Sequence, residues 1–465
     1  MAAAMLLPAL VDLAEDNEDW RVFALSSFLI GAVGALVGAA SRGEPMRFNA
    51  RLGFLLVTTV WVVTVLAGAL PLYFSSAGLS IAGAVFESTS GLTTTGASVI
   101  SSLDLLPPGL LLWRSLLNWI GGIGIVVMAI MILPQLRIGG LALFQMEGSD
   151  KADKVLPRAR QLAAGLAAAY GALTVLCAAT YAALGMSVFD AVNHAMATIS
   201  TGGFSTHDAS LGYFHDDRIL VAATLFMILG ALPFVIYVRA FTGSRSQRRR
   251  DPQIAVFLVL CLVLSLALAV SRRLIEGVPF GEALITSSFG LVSLLSTTGF
   301  VSDDYTRWSE AAVGLFFIAL FLGGCAGSTA GGIKANRLVV LYKLVDASFR
   351  RLVRPHAVIR LRYGESEIQP QAVQAVTIFF FLYFGVLLIG TVVLGVLGLD
   401  LLTAFSGTLT SLSNVGPGFG PVIGPAGDFS SLTDAQLWVL TAIMLLGRLE
   451  IVTVVILFLP SIWMR

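Results

Sequence analysis

Four short tracts carry the residues of this sequence most able to bind something. TTTGAS (93–98), STGGFS (200–205), STTGFVS (296–302) and SNVGPGFG (413–420) hold hydroxyls, an amide and glycines, but no acid, base or thiol. A hydroxyl with no adjacent base is a poor nucleophile, so covalent catalysis is a weak reading. What such tracts do offer is backbone carbonyl oxygen, because glycine lets the chain turn its carbonyls toward one point and approach closely. Rings of carbonyl oxygens that replace an ion's water shell select monovalent cations, whereas carboxylate rings suit other cation pores. The triplets Thr94-Thr95-Gly96, Ser200-Thr201-Gly202, Thr297-Thr298-Gly299 and Asn414-Val415-Gly416 are therefore the candidate ligands of an ion such as potassium.

These tracts need elements to hold them. The 465 residues are 57% hydrophobic and 12% charged, with a mean hydropathy of +0.87. Uncharged apolar runs of about 18 or more residues indicate membrane-crossing helices. Nine qualify: 22–40, 52–74, 115–136, 161–189, 219–238, 252–271, 311–333, 368–399 and 435–460, the last broken by Arg448 and Glu450. Each glycine tract follows a short helical-looking stretch (AGAVFESTSGL, DAVNHAMATI, EALITSSFGLVSLL, LTAFSGTLTSL) and lies between two spans. Irregular backbone at membrane depth must be buried in protein or line a cavity. The expected fold is an all-α polytopic membrane protein. Four pseudo-repeats of transmembrane helix, pore helix, filter loop and transmembrane helix surround one pore, after an N-terminal extra helix. The divisions are 1–50 for the N-terminal helices, then repeats 51–137, 138–242, 243–345 and 346–465. Met1–Leu10, half a span long, reads as a truncated first helix or an interfacial stub.

Net charge is +1, yet its distribution is uneven. Arg42, Arg47 and Arg51, the group 137–160, the group 239–250 and the group from Lys334 to Arg362 all fall on one side of alternating spans. The positive-inside rule makes that side cytoplasmic. The RSQRRRD run reads as a cytoplasmic anchor and not as a nucleic-acid site, since no domain surrounds it. Cys177, Cys261 and Cys325 all sit in apolar runs, and the four histidines have no ligand spacing, so neither disulfide nor structural metal is expected.

The tract 323–332, GGCAGSTAGG, puts Gly323, Gly324, Gly327, Gly331 and Gly332 beside Ser328 and Thr329 in one apolar run ending near Lys334. Each glycine costs a helix interior about 1 kcal/mol relative to alanine, so the helix should break here. A polar flexible loop just inside the filter would obstruct ions until it moved. The tract also approaches a phosphate-binding loop, but Ile333 separates Gly332 from Lys334 and no strand precedes it, so nucleotide binding is rejected. GAVGALVG (31–38) has spacing for close helix packing only. Arg448 is a charge inside an apolar helix, which marks a functional site by default. Glu450, two residues on, does not share its helix face. Glu87 in the first short helix is placed to pair with a neighbour or to shape the potential at the mouth.

In this order the four glycine tracts, with GGCAGSTAGGIK and GRLE (447–450), resemble the Trk/Ktr/HKT superfamily of potassium uptake proteins over most of the chain, from about Leu52 to the end. The leading span near 22–40 is similar to the TrkH branch. The resemblance implies potassium as the transported ion with no organic cofactor on this chain, and Gly96 at the first pivot implies potassium over sodium. It further implies the bacterial cytoplasmic membrane, a homodimer within membrane lipid, a gate at the 323–334 loop, and control by a cytosolic nucleotide-binding RCK subunit resembling TrkA. No enzyme activity is expected. The competing reading is an ion-coupled symporter, since broken helices and repeats occur there too; against it, the spans hold few ionisable residues suited to proton relays.

Overall fold

A computed structural model describes residues 1–41, 50–131, 155–241, 251–357, 359–364 and 366–463. Nine of the basic residues on which the orientation argument rests, Arg42, Arg47, Arg137, Lys151, Lys154, Arg245, Arg248, Arg249 and Arg250, lie outside them.

The described residues are overwhelmingly helical; their only strands are the two-residue pair Arg362–Tyr363 and Ser366–Glu367. Among the described residues six helices are long and apolar enough to cross a membrane, or eight when two bent pairs each count as one span. Of the nine spans expected from hydropathy, three are not continuous helices: those holding the 323–332 glycines and the Arg448–Glu450 step are broken in keeping with the sequence, and the bend within 219–238 is a correction. The run 219–238 is two helices, Asp217–Ala231 and Phe234–Phe241, meeting at 90°. Pro233 lies at the bend, where its ring and missing N–H forbid a continuous helix. The run 311–333 is helical only over Glu310–Ala319. The last run bends by 109° after Asp434–Arg448, at Glu450, whose φ is +64°. Hydropathy sees none of these breaks, because it counts apolar residues and not backbone hydrogen bonds.

The N-terminal segment is a helix, Ala2–Ala14, lying antiparallel to Trp20–Ala40, with Ser27 donating to the Ala2 carbonyl at 2.8 Å. It is tied to the body by polar contacts. Asp12 accepts from the Gly109 amide at 2.7 Å, and Asp19 accepts from the Ser76 hydroxyl at 2.7 Å. The expected close packing of 31–38 is not found within one copy. Gly34 and Gly38 have nothing within 4 Å of a built Cβ, and only Gly31 meets a neighbour, Ala2.

Four short helices, Ile81–Leu92, Val188–Ile199, Phe280–Leu295 and Leu401–Ser413, point their C-terminal ends into the centre of the molecule, where their last turns are buried. Three are started by side-chain caps: Ser80 accepts from Gly83 N–H, Ser187 from Asp190 N–H and Asp400 from Thr403 N–H. All four end alike. The amide of the residue after a left-handed one reaches back five residues: Thr95 to Ser90, Gly202 to Ala197, Thr298 to Ser293 and Val415 to Thr410, at 2.8–3.0 Å. That closing bond is the Schellman pattern, which needs a residue in the left-handed region. Thr94, Thr201, Thr297 and Asn414 fill it, with φ of +51°, +51°, +57° and +55°.

Candidate functional site: a ring of four loops over a buried loop

The shared helix endings fix which residues correspond between loops. A second left-handed residue follows two positions later in each: Gly96, Gly203, Gly299 and Gly416, with φ of +81°, +74°, +79° and +109°. Sequence matching set Gly202 beside Gly96, from the triplet Ser200-Thr201-Gly202. The backbone instead sets Thr201-Gly202-Gly203 beside Thr94-Thr95-Gly96. The tract holds two adjacent glycines, and only their conformations tell them apart.

The loops meet in chain order and close on themselves. A Cβ built on Gly96 would lie 2.6 Å from the Gly202 carbonyl oxygen, and one on Gly203 would lie 2.0 Å from that of Thr298. One on Gly299 would lie 1.9 Å from the Val415 oxygen, and one on Gly416 would lie 2.6 Å from the Thr95 oxygen. The ring therefore consists of backbone against backbone, with no space for side chains between strands. Gly96, Gly203, Gly299 and Gly416 together line the floor of one cavity of about 330 Å³. β-Branched threonine at positive φ is strained, at roughly 1–3 kcal/mol per residue, and such strain collects at functional sites. Here Thr94, Thr201 and Thr297 all bear it.

Side chains hold the ring from behind. The Asn414 amide donates to Thr95 Oγ1 and to the Met444 carbonyl, each at 3.0 Å. Asn118 packs its side chain against Gly202, 2.4 Å from a built Cβ, and leaves its own amide without a partner among the described residues. Glu87 and Arg114, both buried, form an ion pair at 2.8 Å beside the first two loops. The expectation of a partner for Glu87 is met. In the sequence Arg114 only bounds the apolar run 115–136, yet it lies within the helix Pro108–Met131, where a lone charge is the signal of its role.

Beneath the ring lies the 323–334 tract, all buried apart from partly covered Gly332. Leu322 pairs with Ile333 in a short parallel bridge, and the Gly323 amide bonds to the Ile333 carbonyl at 3.0 Å, so the two ends of the tract are tied together and close it into a loop. It completes the break at Pro233: Cys325 N–H donates to the Ala231 carbonyl and Phe234 N–H to the Gly327 carbonyl, each at 2.9 Å. Two broken helices thus satisfy each other's backbone, as burial in a membrane requires. The tip touches the ring directly. Gly331 N–H donates to Thr297 Oγ1 at 2.7 Å, and Thr329 Oγ1 lies 3.1 Å from Thr201 Oγ1 and 3.0 Å from the Gly230 carbonyl.

Four charged groups gather below that loop. Glu450 pairs with Arg337, and Lys334 Nζ lies 3.8 Å from Glu450 Oε1. Arg448, 3% exposed, finds no hydrogen-bond partner for any guanidinium nitrogen among the described residues. It borders a cavity of about 20 Å³ with Gly331, Gly332 and Lys334. Glu450 satisfies other cations and leaves Arg448 free, in keeping with the two residues not sharing a face. Arg337 and the pairing role of Glu450 became visible only in three dimensions.

The outer mouth carries acidic side chains organised around a histidine. His207 lies 2.5 Å from Asp104 and 3.4 Å from Asp190, stacked on Tyr213 at 3.5 Å between ring centres. Burial disfavours the Asp104 charge, but hydrogen bonds from His207 and the Asp208 amide outweigh it and hold the carboxyl below its usual range. Among the described residues no group of three or more His, Cys, Asp or Glu side chains is placed to hold a metal ion, and the three cysteines are buried and free.

Helical spans enclosing a ring of re-entrant loops define an integral membrane protein of the transporter class. Residues 21–464 match the TrkH family of cation transport proteins, and the chain belongs to that family, whose members are transporters and not enzymes. It is 41% identical to the Trk system potassium uptake protein TrkI of Halomonas elongata, covering 100% of this chain and 94% of the relative. It is 37% identical to TrkH of Escherichia coli K12, over 99% and 96% of the two chains. The crystal structure of the potassium transporter TrkH from Vibrio parahaemolyticus superposes with a TM-score of 0.91 at 35% identity, covering 99% of this chain and 96% of that one.

Proposed function

We propose that this chain admits potassium through the cytoplasmic membrane by a channel-like pore, with the four loops as its selectivity filter. The observation that carries the reading is the closed backbone ring: uncharged, glycine-lined and open to an outer cavity. Its ligands are the carbonyls of Thr94-Thr95-Gly96, Thr201-Gly202-Gly203, Thr297-Thr298-Gly299 and Asn414-Val415-Gly416, with the Ser200 position just below. Potassium enters from the acidic outer side, sheds water for carbonyl oxygen, and meets the 323–332 loop. That loop is the gate. It blocks the path while Thr329 and Gly331 hold it to the filter, and unpaired Arg448 beneath it repels cations. Lys334 anchors its inner end to Glu450.

The potassium uptake named for the relatives supports the choice of ion. The working unit in this reading is a homodimer, governed by a cytosolic nucleotide-binding RCK subunit that docks on the basic inner face and shifts the gate.

The test is growth at low external potassium, with rubidium uptake, in cells stripped of their own uptake systems. Restored growth and saturable rubidium entry are expected. Well-expressed protein that restores neither would overturn the proposal.

A further inference from the structure

The clamp behind the first two filter loops has a geometry that packing alone does not need. Arg114 spends its guanidinium in three directions. Nε bonds to Glu87 Oε1 at 2.8 Å, Nη1 donates to the Ser205 carbonyl at 2.9 Å, and Nη2 donates to Ser98 Oγ at 3.1 Å. Glu87 also divides its oxygens. Oε2 accepts from Val99 N–H at 2.9 Å, and Oε1 accepts from Ser98 Oγ at 3.0 Å. The guanidinium lies 4.1 Å over the Phe204 ring. Ser98 and Ser205 occupy the same place in their loops, two residues beyond Gly96 and Gly203. One ion pair therefore holds the outward continuation of two adjacent filter strands at once.

The other two loops are held without charge. Ser293 donates to the Phe300 carbonyl at 2.7 Å, and Ser406 accepts from Phe419 N–H at 3.0 Å. The ring is thus asymmetric in its support. Glu87 is fully buried and Arg114 is 1% exposed, so neither charge can turn to water if the other is lost. An unpaired buried charge must find new partners or move, and its nearest freedom is to carry the loops with it.

We infer that Glu87 and Arg114 are positioning residues for ion selection, setting the spacing between the first and second filter strands. The inference rests on the proposed potassium filter. Selectivity by carbonyl coordination depends on cavity size and on how many dipoles reach the ion. A looser pair of strands would coordinate the smaller sodium ion relatively better, so discrimination should fall before conduction is lost.

Purified protein in liposomes tests this by the ratio of rubidium to sodium uptake. Glu87→Gln is expected to lower that ratio roughly tenfold, equivalent to about 1.4 kcal/mol. Arg114→Lys keeps the charge but lacks the fork that reaches both loops, and Ser98→Ala removes one tie; each should lower the ratio by a smaller factor. A purely structural role would reduce the amount of folded protein or lower both ions' uptake together, leaving the ratio unchanged. An unchanged ratio in folded Glu87→Gln overturns the inference. Should that variant not accumulate, an unchanged ratio in both Arg114→Lys and Ser98→Ala overturns it equally. Failure of wild-type protein to favour rubidium would sink the filter proposal instead, so the two failures are distinct.

Discussion

Gly299 and Val415 stand closer than any side chain would permit: a Cβ on Gly299 would lie 1.9 Å from the Val415 carbonyl oxygen. The third and fourth loops are thereby in backbone contact, and the same contact recurs round the ring at Gly416, Gly96 and Gly203. An ion at the centre would see oxygen from four loops with no side chain between them. A glycine here does two jobs, since it supplies both the missing Cβ and a positive φ.

That double requirement separates two adjacent glycines. Gly203→Ala places a Cβ 2.0 Å from the Thr298 carbonyl at a φ of +74°, whereas Gly202→Ala meets only the movable side chain of Asn118. Gly203→Ala should abolish rubidium uptake or its selectivity, and Gly202→Ala should retain a larger share of both. Equal loss in the two variants would return the register to Gly202.

Gly96→Ser tests the first pivot. The new Cβ would lie 2.6 Å from the Gly202 oxygen at a φ of +81°, so the first strand must retreat. Sodium inhibition of rubidium uptake is expected to strengthen several-fold. Unaltered competition by sodium removes Gly96 from the filter.

Thr329→Val would keep the shape of the gate tip but break its contacts with Thr201 Oγ1 and the Gly230 carbonyl. Taking the donor from the Gly230 carbonyl and the acceptor from the Thr201 hydroxyl costs about 1–3 kcal/mol, which biases the loop away from the ring. Basal rubidium leak should rise by roughly tenfold for each 1.4 kcal/mol. A leak no greater than wild type argues for a loop held by packing alone.

If the 323–332 loop is the gate proposed above, Arg448→Ala should also raise flux, because it removes a positive charge that has no partner among the described residues. Lower flux in folded protein would mark Arg448 as a structural group. A combined Thr329→Val/Arg448→Ala variant that leaks more than either confirms two separate barriers in series.

The outer mouth carries a pH signature. Asp104 is held below its usual range by His207 and the Asp208 amide, so it binds its proton less readily folded than unfolded. Its contribution to stability is full above the unfolded carboxylate value of about 3.9 and is lost as pH falls through the lower folded value. The melting-temperature difference between wild type and Asp104→Asn in detergent should be steady above about pH 5 and shrink toward pH 3. A difference independent of pH over that range would remove the Asp104 charge from the account.

The sequence by itself determined what its composition and period can encode. Long apolar runs made it a helical membrane protein, and recurrence of short helix and glycine tract made four corresponding loops visible, together with the glycine-rich break and lone Arg448. These are local properties: a residue's polarity and its neighbours decide whether it can lie in lipid or continue a helix. Tertiary structure alone decided which glycine of STGGFS joins the ring, since adjacent identical residues differ only in φ. It decided that the 219–238 run bends at Pro233, because the bend is viable only where the 323–334 loop supplies partners for Ala231 and Phe234. It also decided that Arg114 belongs with Glu87, and Glu450 with Arg337 and Lys334 instead of Arg448. The last pairing joins residues 113 positions apart. Buried charges find their partners through the packing of distant helices, and no spacing along the chain records that choice.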